Sequence, residues 1–408
     1  MAFFLGYGQG ETVCVDLPPE SVRDYSRPNG EPVEDAARAV VEALRAAIDF
    51  PPLAQATVPG DRIVIAVERG IPQLPAVIQG IVQTLLAGSA QPHEIAVVLA
   101  DPEDRARQPL AGLPPSVREL IRITVHDPAD AQQLTYLAAA RDGRPIYFQR
   151  LIADADVVIP VGLLRLDDAW GYFGVHGCLF PTFSDQETRA RFQSTRGNWQ
   201  VQQRHGRKEA EEAAWLLGVQ FTVQIMPGAG DSILQILAGE ARAVARRGSD
   251  LCESAWLHRA GRRASLVVAS IEGGEPEQTW DNVARALDVA AQAVADGGSI
   301  VLCTRLQEPP HRSVVKQLAR AGFAQDSAVA SSRETAPPSS SDAFTAQLLS
   351  QTLDRANVFL LSRLEEDIVE DLGLGHVAHA DEVTRLSRRH ESCILVGNAQ
   401  HARIATDE

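Results

Sequence analysis

Residues able to do chemistry gather in one glycine- and aromatic-rich stretch: Asp167-Asp168-Ala169-Trp170-Gly171-Tyr172-Phe173-Gly174-Val175-His176-Gly177-Cys178-Leu179-Phe180-Pro181. An imidazole such as His176 can carry protons near neutral pH or bind a metal, or it can be a hydrogen-bonded structural group. Cys178 is a nucleophile where its thiolate is stabilised and a small buried residue where it is not. Asp167 and Asp168 follow an apolar run, where a carboxylate acts as a base or a ligand, or caps the turn that follows. The glycines let the backbone take positive φ and pass close to another group. The Gly-x-Ser-x-Gly pattern of a hydrolase nucleophile is absent from the chain.

Two other constellations carry less chemistry. His376 and His379 lie near Asp381 and Glu382. On a strand, positions three apart face opposite sides, which argues against a shared metal and for loop polarity. Gly6-Tyr7-Gly8-Gln9-Gly10 fits neither the dinucleotide nor the phosphate-loop spacing and has no helix start behind it, so it reads as a turn.

The elements that must position these residues alternate between strand and helix. Arg62–Val67, Glu94–Ala100, Ile121–His126 and Val157–Val161 are apolar runs of buried-strand type, and Leu74–Leu86 has helical spacing up to Gly88. Phe221–Ile225 and Ser232–Leu237 form a hairpin around Gly228–Asp231, and Glu240–Arg247 is a helix with Gly248 as its stop. A second series begins near Arg262, with strands at Ser265–Ser270, Ser299–Cys303, Val358–Leu361 and Cys393–Val396, a helix at Asn282–Val294 and a flexible Ser- and Pro-rich loop at Ala330–Asp342. The expectation is an α/β protein of two domains, residues 1–255 and 256–408. The larger N-terminal domain has a mostly parallel sheet with helices on both faces. The smaller C-terminal domain is also α/β, and a ligand cleft is expected between the two.

The chain has 408 residues, 45% of them hydrophobic, which suffices for two cores. Its net charge of −15, from 38 basic and 53 acidic residues, argues against a nucleic-acid or anionic-membrane surface. The five cysteines are scattered with no Cys-x-x-Cys, and no apolar run is long enough to span a membrane. Residues 1–5 are apolar but lack a basic region and run into Gly6, so they do not read as a signal peptide, and a cytoplasmic location is expected. Abundant Ala, Arg and Pro suggest a GC-rich, bacterial source.

The order of landmarks resembles the nickel-dependent lactate racemases and their 2-hydroxyacid racemase and epimerase relatives, a family of isomerases. The resemblance rests on Tyr7-Gly8-Gln9-Gly10, the loop through Pro72, Val125-His126-Asp127, Arg150 to Asp156, Gly197-Asn198 and Leu237-Ala238-Gly239-Glu240. In the second domain it rests on Gly273 to Gln278, similar to the family's Gly-Gly-x-Pro-x-x-Gln, and on Phe344-Thr345-Ala346-Gln347, similar to its Trp-Thr-Ala-Gln. It implies redox racemisation. A nickel-pincer nucleotide tethered to a lysine takes a hydride from the hydroxy acid, one histidine holds the nickel, and two more exchange the hydroxyl proton.

Matched position by position, those groups are replaced here. The lysine position is Gly177, and no histidine occurs between His176 and His205 to bind nickel. The two acid–base histidine positions are Asp104 and Asp167. The family's Asp-His-Thr-Arg-Pro loop is Glu68-Arg69-Gly70-Ile71-Pro72, where Arg69 is the available substitute for the carboxylate-binding arginine. The resemblance therefore implies a divergent member without nickel-pincer racemisation and with no cofactor or metal assigned. Its expected ligand is a small anionic or nucleotide-like molecule, with Glu68, Arg69, Arg105, Trp170, Gly174, Gly177, Gln278, Arg285 and Phe344 lining the cleft. The alternative is a hydroxyacid racemase or epimerase with a remodelled site, using Asp104, Asp167 and His176. Oligomeric state is left open.

Overall fold

The computed structural model describes residues 2–166, 172–193, 199–323 and 340–407. The chain groups into two compact units, one of Gly30–Phe192 and Arg196–Cys252, the other of Met1–Asn29 and Glu253–Glu408 with the short piece Gln193–Thr195. The class is mixed α/β, as expected. The first 29 residues, however, group with the C-terminal unit rather than with residues up to 255. Val22–Tyr25 adds a parallel strand beside Cys393–Val396, and Gly8 bridges to Glu272, so backbone pairing holds them there.

The first unit is built on a six-stranded sheet in the order Ile233–Glu240, Phe221–Pro227, Val157–Leu163, Ile63–Val67, Ile95–Leu99, Arg122–Val125. All pairings are parallel except that of Ile233–Glu240, which forms the expected hairpin with Phe221–Pro227. Strand residues alternate between two cores, as a sheet covered on both faces requires. Ile63, Ile65 and Val67 join a cluster with Val40, Leu44, Leu74 and Ile78 of the helices Ala36–Arg45 and Leu74–Ala87. Val64 and Ala66 join Phe148, Leu179, Phe180, Phe183, Ala213 and Ala214 on the opposite face. The helix Ala36–Arg45 starts where Asp35 caps the Arg38 N–H, and Leu74–Ala87 stops at Gly88.

One expectation fails. The helix after Ile233–Glu240 runs from Ala241 to Trp256 and passes through Gly248 without stopping. A Cβ at position 248 would stand 2.5 Å from a Leu164 methyl, so this glycine serves close packing rather than termination.

The second unit carries a six-stranded, wholly parallel sheet in the order Gly375–Val377, Asn357–Leu361, Val294–Cys303, Ala264–Ser270, Cys393–Val396, Val22–Tyr25. The hairpin Ala2–Tyr7 with Glu11–Asp16 covers one face, burying Leu5, Val13 and Val15 against Leu266, Val268 and Val301. Its turn is Gly8–Gly10, with Gly8 and Gly10 at positive φ, while Gly6 and Tyr7 pair with Thr12 and Glu11 in the strands. Of the expected flexible loop, residues 330–339 lie outside the described residues, and the helix Ser340–Leu353 takes up the rest.

Candidate functional site

In the first sheet the chain leaves Ile63–Val67 toward Ile95–Leu99 on one side, whereas it leaves the adjacent Val157–Leu163 toward Phe221–Pro227 on the other. Connections that part in this way open a crevice at the carboxyl ends of the two strands, where open α/β sheets bind ligands. Glu68 bridges this point. Its N–H donates to the Val161 carbonyl at 2.9 Å, and its Oε2 accepts from the Leu163 N–H at 2.8 Å.

The next loop brings in Asp104, 1% exposed in the short helix Pro102–Ala106. Its Oδ2 accepts from the Gly70 N–H at 3.3 Å and its Oδ1 lies 3.1 Å from the Arg107 guanidinium. Burial pushes the Asp104 carboxyl above the usual range, and Arg107 and Gly70 pull against that shift. Arg107 also reaches Asp231 at 3.3 Å, and Asp231 accepts from the Gln73 N–H at 3.0 Å. Three loops are thus tied by two carboxylates and one arginine. Arg69 lies 3.3 Å from Asp101 and 3.5 Å from Glu103, so its charge is shared before any ligand arrives. Arg105 is exposed on the same short helix.

The third loop is the glycine-rich stretch. Asp167, Asp168 and Trp170 lie outside the described residues. Tyr172 follows, its carbonyl accepting from Gln203 Nε2 at 2.8 Å and its ring 5.6 Å from the Arg207 guanidinium carbon. Gly174 takes φ +74°, and its carbonyl accepts from the Gly177 N–H at 2.9 Å. Cys178 is buried and donates its S–H to the Val175 carbonyl at 3.0 Å, and burial holds it far on the thiol side. It packs against Gly162, so its role is that of a small core residue.

His176 does not join Asp104. Its charged neighbours are Glu211, Glu240 and Arg242, and Glu240 pairs with Phe221 at the opening of its strand, away from the carboxyl ends. Burial holds its imidazole below the ordinary value while the two carboxylates push the other way.

Two residues assigned no chemistry from the sequence lie toward the carboxyl edge of the same sheet, beyond its outermost strand. His126 follows Arg122–Val125 and is 3% exposed. Its Nε2 lies 2.9 Å from the Ser184 carbonyl, an acceptor, which assigns the hydrogen to Nε2 and leaves Nδ1 as a buried acceptor with no partner. Burial pulls its pKa down to about 4, so the ring is neutral at physiological pH. Arg189 stands on the helix Gln186–Gln193, whose first residue is tied to the Pro128 carbonyl after His126. Its guanidinium makes no hydrogen bond or ion pair among the described residues. Burial lowers its pKa, against the attraction of Asp101, and its charge also acts on His126. His126 was visible in the sequence as a landmark after a strand. Arg189 gave no signal, because an unpaired arginine is recognisable only once its neighbours are known.

The remaining expected ligand residues belong to the other unit. Gln278 Oε1 accepts from Thr304 Oγ1 at 2.7 Å and from the Arg305 N–H at 2.8 Å, and its Nε2 donates to the Gly273 carbonyl at 3.2 Å, so it acts as an internal tie. Arg285 donates to Asn282 Oδ1 at 3.0 Å, and Phe344 is half-buried on Ser340–Leu353. His376 lies on a strand and His379 at the cap of the next helix, and among the described residues no three His, Cys, Asp or Glu side chains gather as a metal site.

Residues 7–195 match the profile of the lactate racemase N-terminal domain. Through this match residues 7–195 are identified as a lactate racemase N-terminal domain. The fold agrees along its whole length. The lactate racemase apoprotein from Thermoanaerobacterium thermosaccharolyticum superposes with a TM-score of 0.73 at 14% identity, covering 99% of this chain and 100% of that one. A structural-genomics protein from Thermotoga maritima superposes with a TM-score of 0.66 at 13% identity, covering 93% of this chain and 99% of that one. At these identities the likeness is one of fold. No curated protein sequence matches the chain. Among the described residues no helix is long and apolar enough to cross a membrane.

Proposed function

We propose that this protein is a divergent member of the lactate racemase family that binds a small anionic ligand, a hydroxy acid or a nucleotide-like molecule, at the carboxyl edge of its first sheet, and does not run nickel-pincer racemisation. The observation that carries the binding half is Arg189. A guanidinium partly withdrawn from water and left without a partner among the described residues is costly, and an anion is the group that offsets that cost. Beside it, the unpartnered Nδ1 of His126 accepts a hydrogen bond from a ligand hydroxyl or a bound water. A neutral ring and a fixed cation together suit a ligand with one anionic group and one donor.

Loss of the family chemistry rests on the residues that stand at its positions. Gly177 offers no amine for a tether, and a Cβ built there would lie 3.0 Å from the Gly174 carbonyl, so a side chain at this position would crowd the turn. Asp104 is held between Arg107 and Gly70 rather than turned toward a reacting atom. These residues do not fit the nickel-pincer nucleotide.

Elemental analysis and intact mass of purified protein test the second half: no stoichiometric nickel and no nucleotide-sized adduct are expected, and finding both overturns it. A thermal-shift screen of hydroxy acids, sugar acids and nucleotides tests the first half. A melting temperature unmoved by every one of these anions removes it.

A further inference from the structure

The second sheet has its own parting point. The chain leaves Ala264–Ser270 toward Val294–Cys303, while the adjacent Cys393–Val396 lies on its other side. Here Asn398, with φ +50° and no exposure, donates from Nδ2 to Glu272 Oε1 at 3.1 Å. Gln400 Nε2 donates to the Glu272 carbonyl at 3.4 Å, and the Ala399 N–H donates to the Ser270 carbonyl at 2.9 Å.

The oxygens of this cluster are under-used. Ser270 is fully buried, and its Oγ has no partner. Gln400 is 6% exposed and its Oε1 has none either. Turning the amide over gives no relief, because the Glu272 carbonyl needs the NH2 group where it stands. Glu272 is half-buried, with its carboxylate packed against the backbone of Gly6. Its Oε2 makes no hydrogen bond among the described residues. Serine and glutamine oxygens buried without partners each cost about 1–3 kcal/mol. What is missing is a group that supplies positive charge or donors to several oxygens at once.

We propose that Ser270, Glu272 and Gln400 hold a monovalent cation, either an alkali-metal ion or the primary ammonium group of a small amine. One carboxylate and two neutral oxygens give the set a single negative charge, fewer charges than strong divalent-ion sites use. The exposed Arg27, whose charge acts on Glu272, adds to the case against a doubly charged ion. The site lies in the other unit from Arg189 and does not depend on the anion site.

The test is thermal unfolding of the full chain at constant ionic strength, with choline chloride replaced stepwise by NaCl, KCl, NH4Cl or methylammonium chloride. A saturable rise in melting temperature is expected with at least one of these. A response to Na+ or K+ identifies the alkali ion, and a response to methylammonium identifies the amine. Glu272→Gln is expected to abolish the rise. If that variant does not fold, Ser270→Ala and Gln400→Met carry the test. Ser270→Ala should melt in choline at or above the wild-type temperature, having lost an orphaned polar atom, whereas Gln400→Met also gives up the bond to the Glu272 carbonyl and should melt lower; each should need about tenfold more cation for half its rise. Equal melting in all five salts, or variants that titrate like the wild type, overturns the proposal.

Discussion

Glu68 Oε2 accepts a hydrogen bond from the Leu163 N–H at 2.8 Å, joining the ends of two adjacent parallel strands at the point where their connections part. The backbone of a crevice floor is normally left to water or ligand, and here one carboxylate holds it closed on one side. Glu68→Ala leaves the buried Leu163 N–H unpaired and should cost about 1–3 kcal/mol in denaturant unfolding. An unchanged unfolding midpoint would show that the crevice floor reorganises without it.

His126 gives the protein an acid-sensitive element. Its folded pKa of about 4 lies below the ordinary 6.5, so its contribution to stability is complete above pH 6.5 and is lost as pH falls toward 4. Between about pH 7 and pH 5 that loss is about 2 kcal/mol. Urea unfolding of wild type and His126→Gln at both pH values measures it. The variant should lose less stability on acidification by about that amount, and equal losses would remove His126 as the cause.

Gly162 marks where the glycine-rich loop lies on the sheet. A Cβ at this position would stand 2.7 Å from Cys178 Cβ and 2.8 Å from Gln224 Nε2, both buried. Gly162→Ala is therefore expected to destabilise by about 1–3 kcal/mol through overpacking. A melting temperature equal to the wild type would mean that the loop does not pack as described.

Much of the architecture was legible in the sequence, for a physical reason. Ile63–Val67 and Ile95–Leu99 are buried on both faces, so they are apolar without interruption, and such runs announce themselves. Gly248 misled because a glycine at a helix end and a glycine at a tight crossing look the same until Leu164 is seen against it. Val22–Tyr25 is short and half-exposed, so nothing local marks it as a strand of the C-terminal sheet. The glycine-rich loop was found, yet the chemistry read into it was only partly placed. Cys178 is a core residue, as one of its two readings allowed, and His176 turns toward Glu211 and Glu240. Arg189 escaped because the sequence shows which charges exist, not which remain unpaired after folding.

The anion site at Arg189 is the central claim, and binding measured on wild type and Arg189→Met tests it most directly. Removing an unpartnered, partly buried cation should leave the melting temperature unchanged or raise it, so loss of binding cannot be ascribed to misfolding. Isothermal titration or thermal shift with a panel of hydroxy acids, sugar acids and nucleotides should show saturable binding of at least one anion to the wild type. The same anion should bind the Arg189→Met variant at least about tenfold more weakly. Equal binding to both proteins, or no anion bound by the wild type, would contradict the account.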